Sequence, residues 1–178
     1  MNPIRTVVAP TDLSALARHA VVRACLLAAE LGARLSLQHV VNAGALDTLR
    51  HLLDADAAGV QEKLLAEVRG EVEALAAEMH RRHGVVPEQQ LAVGSVLGEI
   101  VAHAEAVDAD LLVMGARGAG FMRELLIGST TERVLRKSVR PMLVVKQIAH
   151  EPYRRVLVPV DFSARALPAQ PAFDGHHE

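Results

Sequence analysis

The sequence predicts a doubly wound α/β fold with a five-stranded parallel sheet in the order 3-2-1-4-5 and helices on both faces. Short apolar runs alternate with longer segments of helical periodicity, and the strand candidates are nearly continuous in Val, Leu and Ile, as in strands buried on both faces. The chain has 178 residues, of which 51% are hydrophobic, enough for one domain with a real core. Right-handed crossovers then favour this strand order.

The predicted elements follow one another in β-then-α order along the chain. Strands are predicted at 4–9, 35–41, 90–93, 110–114 and 141–146. Four helices are predicted, at 14–31, 60–84, 97–106 and 132–138, the first of them ending at Gly32. The segment 42–59 is unassigned, because it fits a helical turn as well as an irregular excursion.

The composition changes near residue 148, which divides the chain into a domain at 1–148 and a tail at 149–178. Phe121 is the only aromatic residue before 150, and four of the eight prolines follow 150. Residues 5–14 (RTVVAPTDLS) are repeated at 154–163 (RRVLVPVDFS). The tail therefore resembles the first strand of a second, truncated copy, although chance similarity between two short strand-to-helix turns is the alternative.

Charge and hydropathy exclude two classes of partner. Nineteen basic and 21 acidic residues give a net charge of −2, so no positive field favours nucleic acid. The longest run without Asp, Glu, Lys or Arg is the 12 residues 35–46, short of the roughly 20 that a membrane span needs. The start of the chain lacks the apolar core of a signal peptide, and the lone Cys25 forms no internal disulfide. We expect a cytoplasmic protein and an inert, buried thiol.

The sharpest local signal follows the fourth strand and has the spacing Gly-x2-Gly-x9-Gly-Ser. It runs from Gly115 and Gly118 to Gly128-Ser129-Thr130-Thr131, and chance gives it in fewer than about 1% of chains this long. Glycines let the backbone approach a ligand, and amides and hydroxyls at a helix start suit phosphates. The alternative is a tight turn followed by a helix cap.

Other phosphate-binding and catalytic patterns are missing or ambiguous. No Gly-Lys-Ser/Thr loop occurs, and GARGAG reverses the dinucleotide-binding spacing. The order 3-2-1-4-5 predicts a ligand crevice beyond the carboxyl ends of strands 1 and 4, and Asp12 and Ser14 follow the first strand there. A carboxylate at this place accepts hydrogen bonds from ribose hydroxyls; the alternative is that either residue caps the first helix, and both can hold together. His39 is interpreted as a satisfied core or crevice residue rather than a catalytic base.

The segments VVAPTDLS, LQHVV, ADLLVMGARG, IGSTTERVLRKS and RPMLVVK together resemble the universal stress protein family over residues 4–146. The resemblance implies the 3-2-1-4-5 fold, a dimer and, for the ATP-binding branch, this glycine spacing. It implies that Pro10, Thr11 and Asp12 lie along adenine and ribose and that Val40 contacts the base. It also implies that Met114, Gly115, Arg117 and Gly118 line the adenosine and α-phosphate, and that Gly128, Ser129, Thr130 and Thr131 hold the β- and γ-phosphates.

The leading functional hypothesis is an ATP-binding stress or regulatory protein in which nucleotide occupancy changes stability or partner choice. A slow ATPase is the second hypothesis, weakened by the lack of a water-positioning base. A dimeric interaction module that binds no nucleotide is the third, and the intact glycine motif argues against it. ATP is expected with Mg²⁺, for which Asp12 is a candidate contact.

The edge of the sheet and the tail suggest how copies of the chain associate. Strand 142–145 lies at the sheet edge in the order 3-2-1-4-5, so a homodimer through this edge is expected. Tandem members of the family carry two copies, and this chain resembles one cut short. Its tail strand, 156–160, needs neighbours that the chain does not supply, so we expect it to dock on an exposed edge of the same or a partner subunit and to bind no nucleotide.

Overall fold

The computed structural model describes residues 3–53, 57–116 and 127–157. Its five strands are β1 Thr6–Thr11, β2 Arg34–Asn42, β3 Glu88–Gly94, β4 Leu111–Gly115 and β5 Met142–Val145. All pairings are parallel and the order is β3-β2-β1-β4-β5, which confirms the predicted fold. The described helices are α1 Ala15–Leu31, α2 Ala43–Leu53, α3 Ala57–His83, α4 Val96–Ala106 and α5 Ser129–Lys137.

Helix α2 is the main difference from the prediction, which had four helices and left residues 42–59 unassigned. Asn42 Oδ1 accepts a hydrogen bond from the Ala45 amide at 3.3 Å, which supports the first turn. Leu46 is buried and anchors the helix to the rest of the domain. The sequence left this segment open because its apolar stripe covers barely three turns and begins beside Gly44.

The sheet is covered on both faces, and the alternating side chains of β1 divide between the two layers. Val7 and Ala9 pack with residues of α1 and α3, including Val21 and Met79. Val8 points to the opposite layer, whose buried residues include Leu112, Met114, Ile100, Ala104 and Val134. With both faces covered, the ends of the strands are where the sheet meets solvent, and ligands of doubly wound folds bind at the carboxyl ends.

Cys25 lies in the first of these layers and is fully buried. Burial raises the pKa of its thiol to about 12, so the thiolate needed for reaction is scarce at neutral pH. The expected burial of the thiol is therefore confirmed, and its raised pKa favours the inert form.

Two buried polar side chains of β2 fix the position of α4. Ser36 Oγ and His103 Nε2 share a hydrogen bond of 2.8 Å, and Gln38 Nε2 donates to the carbonyl of Glu99 at 3.0 Å. Burial lowers the pKa of His103, and the nearby Glu88 carboxylate opposes this shift. The neutral imidazole is thus the form that the folded chain favours.

This preference predicts a loss of stability on acidification. Because the pKa of His103 is lower in the folded than in the unfolded chain, the unfolded chain binds more protons as the pH falls through about 6.5. The free energy of unfolding, measured with urea, should therefore drop between pH 7.5 and 5.5. In His103→Gln, which keeps a hydrogen-bonding side chain beside Ser36, the free energy of unfolding should fall less over this pH range. In the exposed control His80→Gln it should fall as much as in the unmodified protein. An identical drop in His103→Gln would contradict the assignment.

Candidate functional site

The sheet opens between β1 and β4 toward their carboxyl ends. Within the described residues, these strands pair only where Val7 and Val8 meet Leu111 and Leu112. Beyond that point, β1 stays paired with β2 as far as Thr11, and β4 stays paired with β5 as far as Gly115. The order of the strands reverses here, so the opening is the crevice in which doubly wound folds bind ligands.

The turn from β1 into α1 is built from three hydrogen bonds between side chains and backbone amides. Thr11 Oγ1 accepts from the Leu13 amide at 3.0 Å, and Asp12 Oδ1 accepts from the Ser14 amide at 3.1 Å. Ser14 Oγ accepts from the Ala17 amide at 3.2 Å and caps α1. The capping alternative is thus confirmed for Ser14, while Asp12 stands exposed at the rim of the crevice.

Leu13 takes the left-handed conformation in this turn, with φ of 63°. That conformation is uncommon for any residue other than glycine and costs free energy. The Leu13 side chain is partly buried and packs against the layer beneath α1, which offsets part of this cost. The turn that follows the Asp12 carboxylate is therefore held both by hydrogen bonds to its backbone amides and by the packing of the Leu13 side chain.

The carboxyl end of β1 is also held from β2. His39 Nδ1 donates a hydrogen bond of 2.8 Å to the carbonyl oxygen of Thr11, the residue beside it in the sheet. This contact confirms His39 as a satisfied crevice residue. One position further along β2, Val40 is partly buried and packs in the same apolar layer as Met114 of β4.

The two halves of the glycine motif come together at the end of β4. The Gly128 amide donates to the carbonyl of Ala116 at 2.6 Å, and the Ala116 amide donates to the carbonyl of Val145 at 2.7 Å. Thr131 Oγ1 donates to the carbonyl of Gly115 at 2.8 Å. Helix α5 is thereby fastened to β4 at its first turn, with Thr131 buried. The hydroxyl proton of Thr131 is directed at the protein backbone rather than at the crevice.

The amino terminus of α5 has the properties of an anion site. Gly128 is the N-cap residue, and no side chain caps the helix among the described contacts. The first amides of a helix have no partner within it and carry the positive end of its dipole. Ser129 and Thr130, in this first turn, are exposed. Glu132 pairs with Arg136 at 2.8 Å, which offsets the acidic charge of the same turn.

Most of the residues expected from the resemblance lie along this edge of the sheet. Those that the structure describes at the ends of β1, β2 and β4 and at the start of α5 are Pro10, Thr11, Asp12, Val40, Met114, Gly115, Gly128, Ser129, Thr130 and Thr131. Arg117 and Gly118 lie outside the described residues. Sequence reasoning missed the positioning contacts of His39 and Thr131, for which the only signals were a polar residue in a buried strand and a hydroxyl beside the motif.

The described part of the chain holds no group of three or more His, Cys, Asp or Glu side chains that could bind a metal ion. Among the helices of residues 3–53, 57–116 and 127–157, none is long and apolar enough to cross a membrane.

Similar proteins were found at the level of sequence. The Universal stress protein family model matches residues 3–146. Universal stress protein YxiE of Bacillus subtilis is 32% identical over 155 residues, covering 82% of this chain and 99% of YxiE. Universal stress protein MJ0577 of Methanocaldococcus jannaschii is 35% identical over 88 residues. This match covers 49% of this chain and about half (54%) of MJ0577.

Solved structures share the fold. The structure of hypothetical protein MJ0577 superposes with a TM-score of 0.67 at 26% identity, covering 84% of this chain and 100% of that one. A universal stress protein in complex with cAMP superposes with a TM-score of 0.61 at 26% identity, covering 82% of this chain and 98% of that one. By its sequence and by the order of its strands, this chain belongs to the universal stress protein family.

Proposed function

We propose that this chain binds ATP in the crevice between β1 and β4, and that nucleotide occupancy changes its stability or its choice of partners. The observation that carries the proposal is the start of α5, which has no side-chain cap among the described residues and is held by Gly128 against the end of β4. A helix start of this kind suits phosphate oxygens. The cAMP complex of a similar protein supports an adenine nucleotide as the ligand.

The proposed contacts follow the chemistry of each wall of the crevice. Asp12, exposed at the rim, would accept hydrogen bonds from the ribose hydroxyls, and the partly buried Val40 would contact the base. Gly115 would let the nucleotide approach the backbone, while the hydroxyls of Ser129 and Thr130 would donate to phosphate oxygens. The remaining proposed contacts are Pro10, Thr11, Met114, Arg117, Gly118 and Gly128. Mg²⁺ would enter with the phosphates, with Asp12 as its candidate protein contact.

For Thr131 we propose two separate roles. Its side chain donates to the Gly115 carbonyl and so positions the backbone at the end of β4. Its own amide lies in the first turn of α5, where it remains available to a phosphate oxygen. Thr131 would therefore contribute to phosphate binding through its backbone, and through its side chain only by positioning Gly115.

Replacing the N-cap glycine should abolish nucleotide binding. In Gly128→Val, a branched side chain would occupy the space that the phosphates need beside the first turn of α5. Isothermal titration with ATP and Mg²⁺ should give millimolar or tighter affinity for the unmodified protein and an affinity at least tenfold weaker for the variant. Gly70→Val is the matched control, since a Cβ at Gly70 meets no atom within 4 Å; its affinity should be unchanged. If the unmodified protein shows neither binding heat nor a melting shift with ATP and Mg²⁺, the result would instead favour an interaction module that binds no nucleotide.

The hydroxyl of Thr131 should matter more than its methyl group. Thr131→Val leaves the Gly115 carbonyl without its donor, which should cost about 1–3 kcal/mol of stability and weaken ATP binding severalfold. Thr131→Ser keeps the donor and should bind ATP within twofold of the unmodified protein. Equal ATP affinities for the Val and Ser variants, measured by calorimetry below their melting temperatures, would contradict the positioning role.

We also propose a homodimer that uses the outer edge of β5. This strand ends the sheet in the order β3-β2-β1-β4-β5, so one row of its backbone groups faces away from β4. Light scattering at tens of micromolar protein should give twice the chain mass. A monomer mass throughout that range would contradict the proposal.

A further inference from the structure

The chain that leaves β5 is fastened to helix α1 by a buried arginine. The guanidinium of Arg23 lies 3.8 Å from the centre of the Tyr153 ring, and its Nη1 donates a hydrogen bond of 2.8 Å to the carbonyl of Glu151. Arg23 is only 8% exposed, and Ala149, two residues before Glu151, is also buried. We call the contacts of Arg23 with Glu151 and Tyr153 the clasp. The clasp holds the tail at a fixed point, close to where β5 ends.

After the clasp come two arginines, Arg154 and Arg155, and then two exposed apolar residues, Val156 and Leu157. Val156 is 61% exposed and Leu157 is 90% exposed, and residues 154–157 form no strand within the described chain. In the internal repeat these two residues match Val7 and Val8 of β1, both fully buried between two strands and two layers of helices. Two residues that match a central strand are thus exposed to solvent in the described chain.

Within the described part of its own chain, this segment pairs with neither edge of the sheet. A parallel addition to β5 needs a crossover of about a dozen residues or more, and only residues 146–153 separate the two segments. The opposite edge, β3, is four strand spacings from β5, roughly 19 Å, whereas residues 154–157 span about 14 Å at most. No antiparallel return onto β5 is seen either, since residues 154–157 form no strand within the described chain.

This inference rests on the homodimer proposed above: we propose that the strand added to each β5 edge in that dimer is residues 154–157 of the other copy. A groove of about 620 Å³ lies beside that edge, lined by Arg23, residues 144–148 and Tyr153. Ile148, 54% exposed, gives this groove an apolar contact for Val156 or Leu157. Each copy carries both the segment and the edge, so reciprocal exchange closes as a two-fold dimer. Residues 154–157 thus act as a dimerisation element, and the clasp fixes the point from which they leave the domain.

Cysteine cross-linking between differently labelled copies tests the pairing directly. One population carries Leu157→Cys. The other carries either Val139→Cys, three residues before β5, or Lys146→Cys, directly after it. The buried Cys25, with its raised pKa, should stay silent. A short bismaleimide should join Leu157→Cys to one of the β5 variants between chains. The matched control is Val86→Cys, which is 72% exposed and precedes β3 at the other edge, and it should give at least tenfold less product.

Two results of that experiment would overturn the proposal. One is equal cross-linking to the Val86 control. The other uses a double variant that carries Leu157→Cys together with Val139→Cys or Lys146→Cys in one chain. A cross-linked product at monomer mass would place the tail on its own β5.

Dimer dissociation measured by sedimentation gives an independent test. Val156→Asp with Leu157→Asp places two charges in the proposed interface, and Tyr153→Ala removes the ring from the clasp. Both should raise the dimer dissociation constant at least tenfold, while ATP affinity should stay unchanged, since these residues lie outside the crevice. A dimer as tight as that of the unmodified protein in the double Asp variant would refute strand exchange, even if the proposed β5 dimer and the nucleotide site both hold.

Discussion

The parting of β1 from β4 is the constraint on which the rest of the site depends. Once Val8 and Leu112 have paired, each strand continues only with its other neighbour. The backbone at this end of the sheet therefore has to be held by contacts other than a β1–β4 ladder. His39 holds the carbonyl of Thr11, and Thr131 holds the carbonyl of Gly115, one on each side of the opening. The crevice is thus a gap between two independently supported strand ends.

The same arrangement brings Gly115 and Gly128 of the glycine motif close together. The Ala116 amide continues the hydrogen bonding with β5, and the Ala116 carbonyl accepts from Gly128 on the far side of the gap. Helix α5 therefore starts beside the end of β4, and its Val134 is buried with Met114 on one face of the sheet.

How far the sequence predicts this structure depends on the range of the interactions. The strands and their order were predictable, because buried parallel strands need continuous apolar runs and right-handed crossovers restrict the topology. Helix α2 was not, since its burial rests on the single residue Leu46 and on a short stripe. The strand order placed the expected crevice at the ends of β1 and β4, where the two strands stop pairing with each other. The left-handed Leu13 and the direction of the Thr131 hydroxyl depend on tertiary packing, which periodicity does not record. Arg23 gave a faint signal as a charge on the apolar face of α1, but only the fold brings Tyr153 to it.

The central claim is that one nucleotide site is formed by the ends of β1 and β4 and the start of α5. Amide chemical-shift mapping of the ¹⁵N-labelled full chain during titration with ATP and Mg²⁺ tests it most directly. The account predicts that the largest shifts fall on residues 11–14, 114–116 and 128–131, three segments distant in sequence that meet at this crevice. The account would be contradicted if saturating ATP left the chemical shifts of these amides unchanged, or changed those of residues on a different face of the sheet instead.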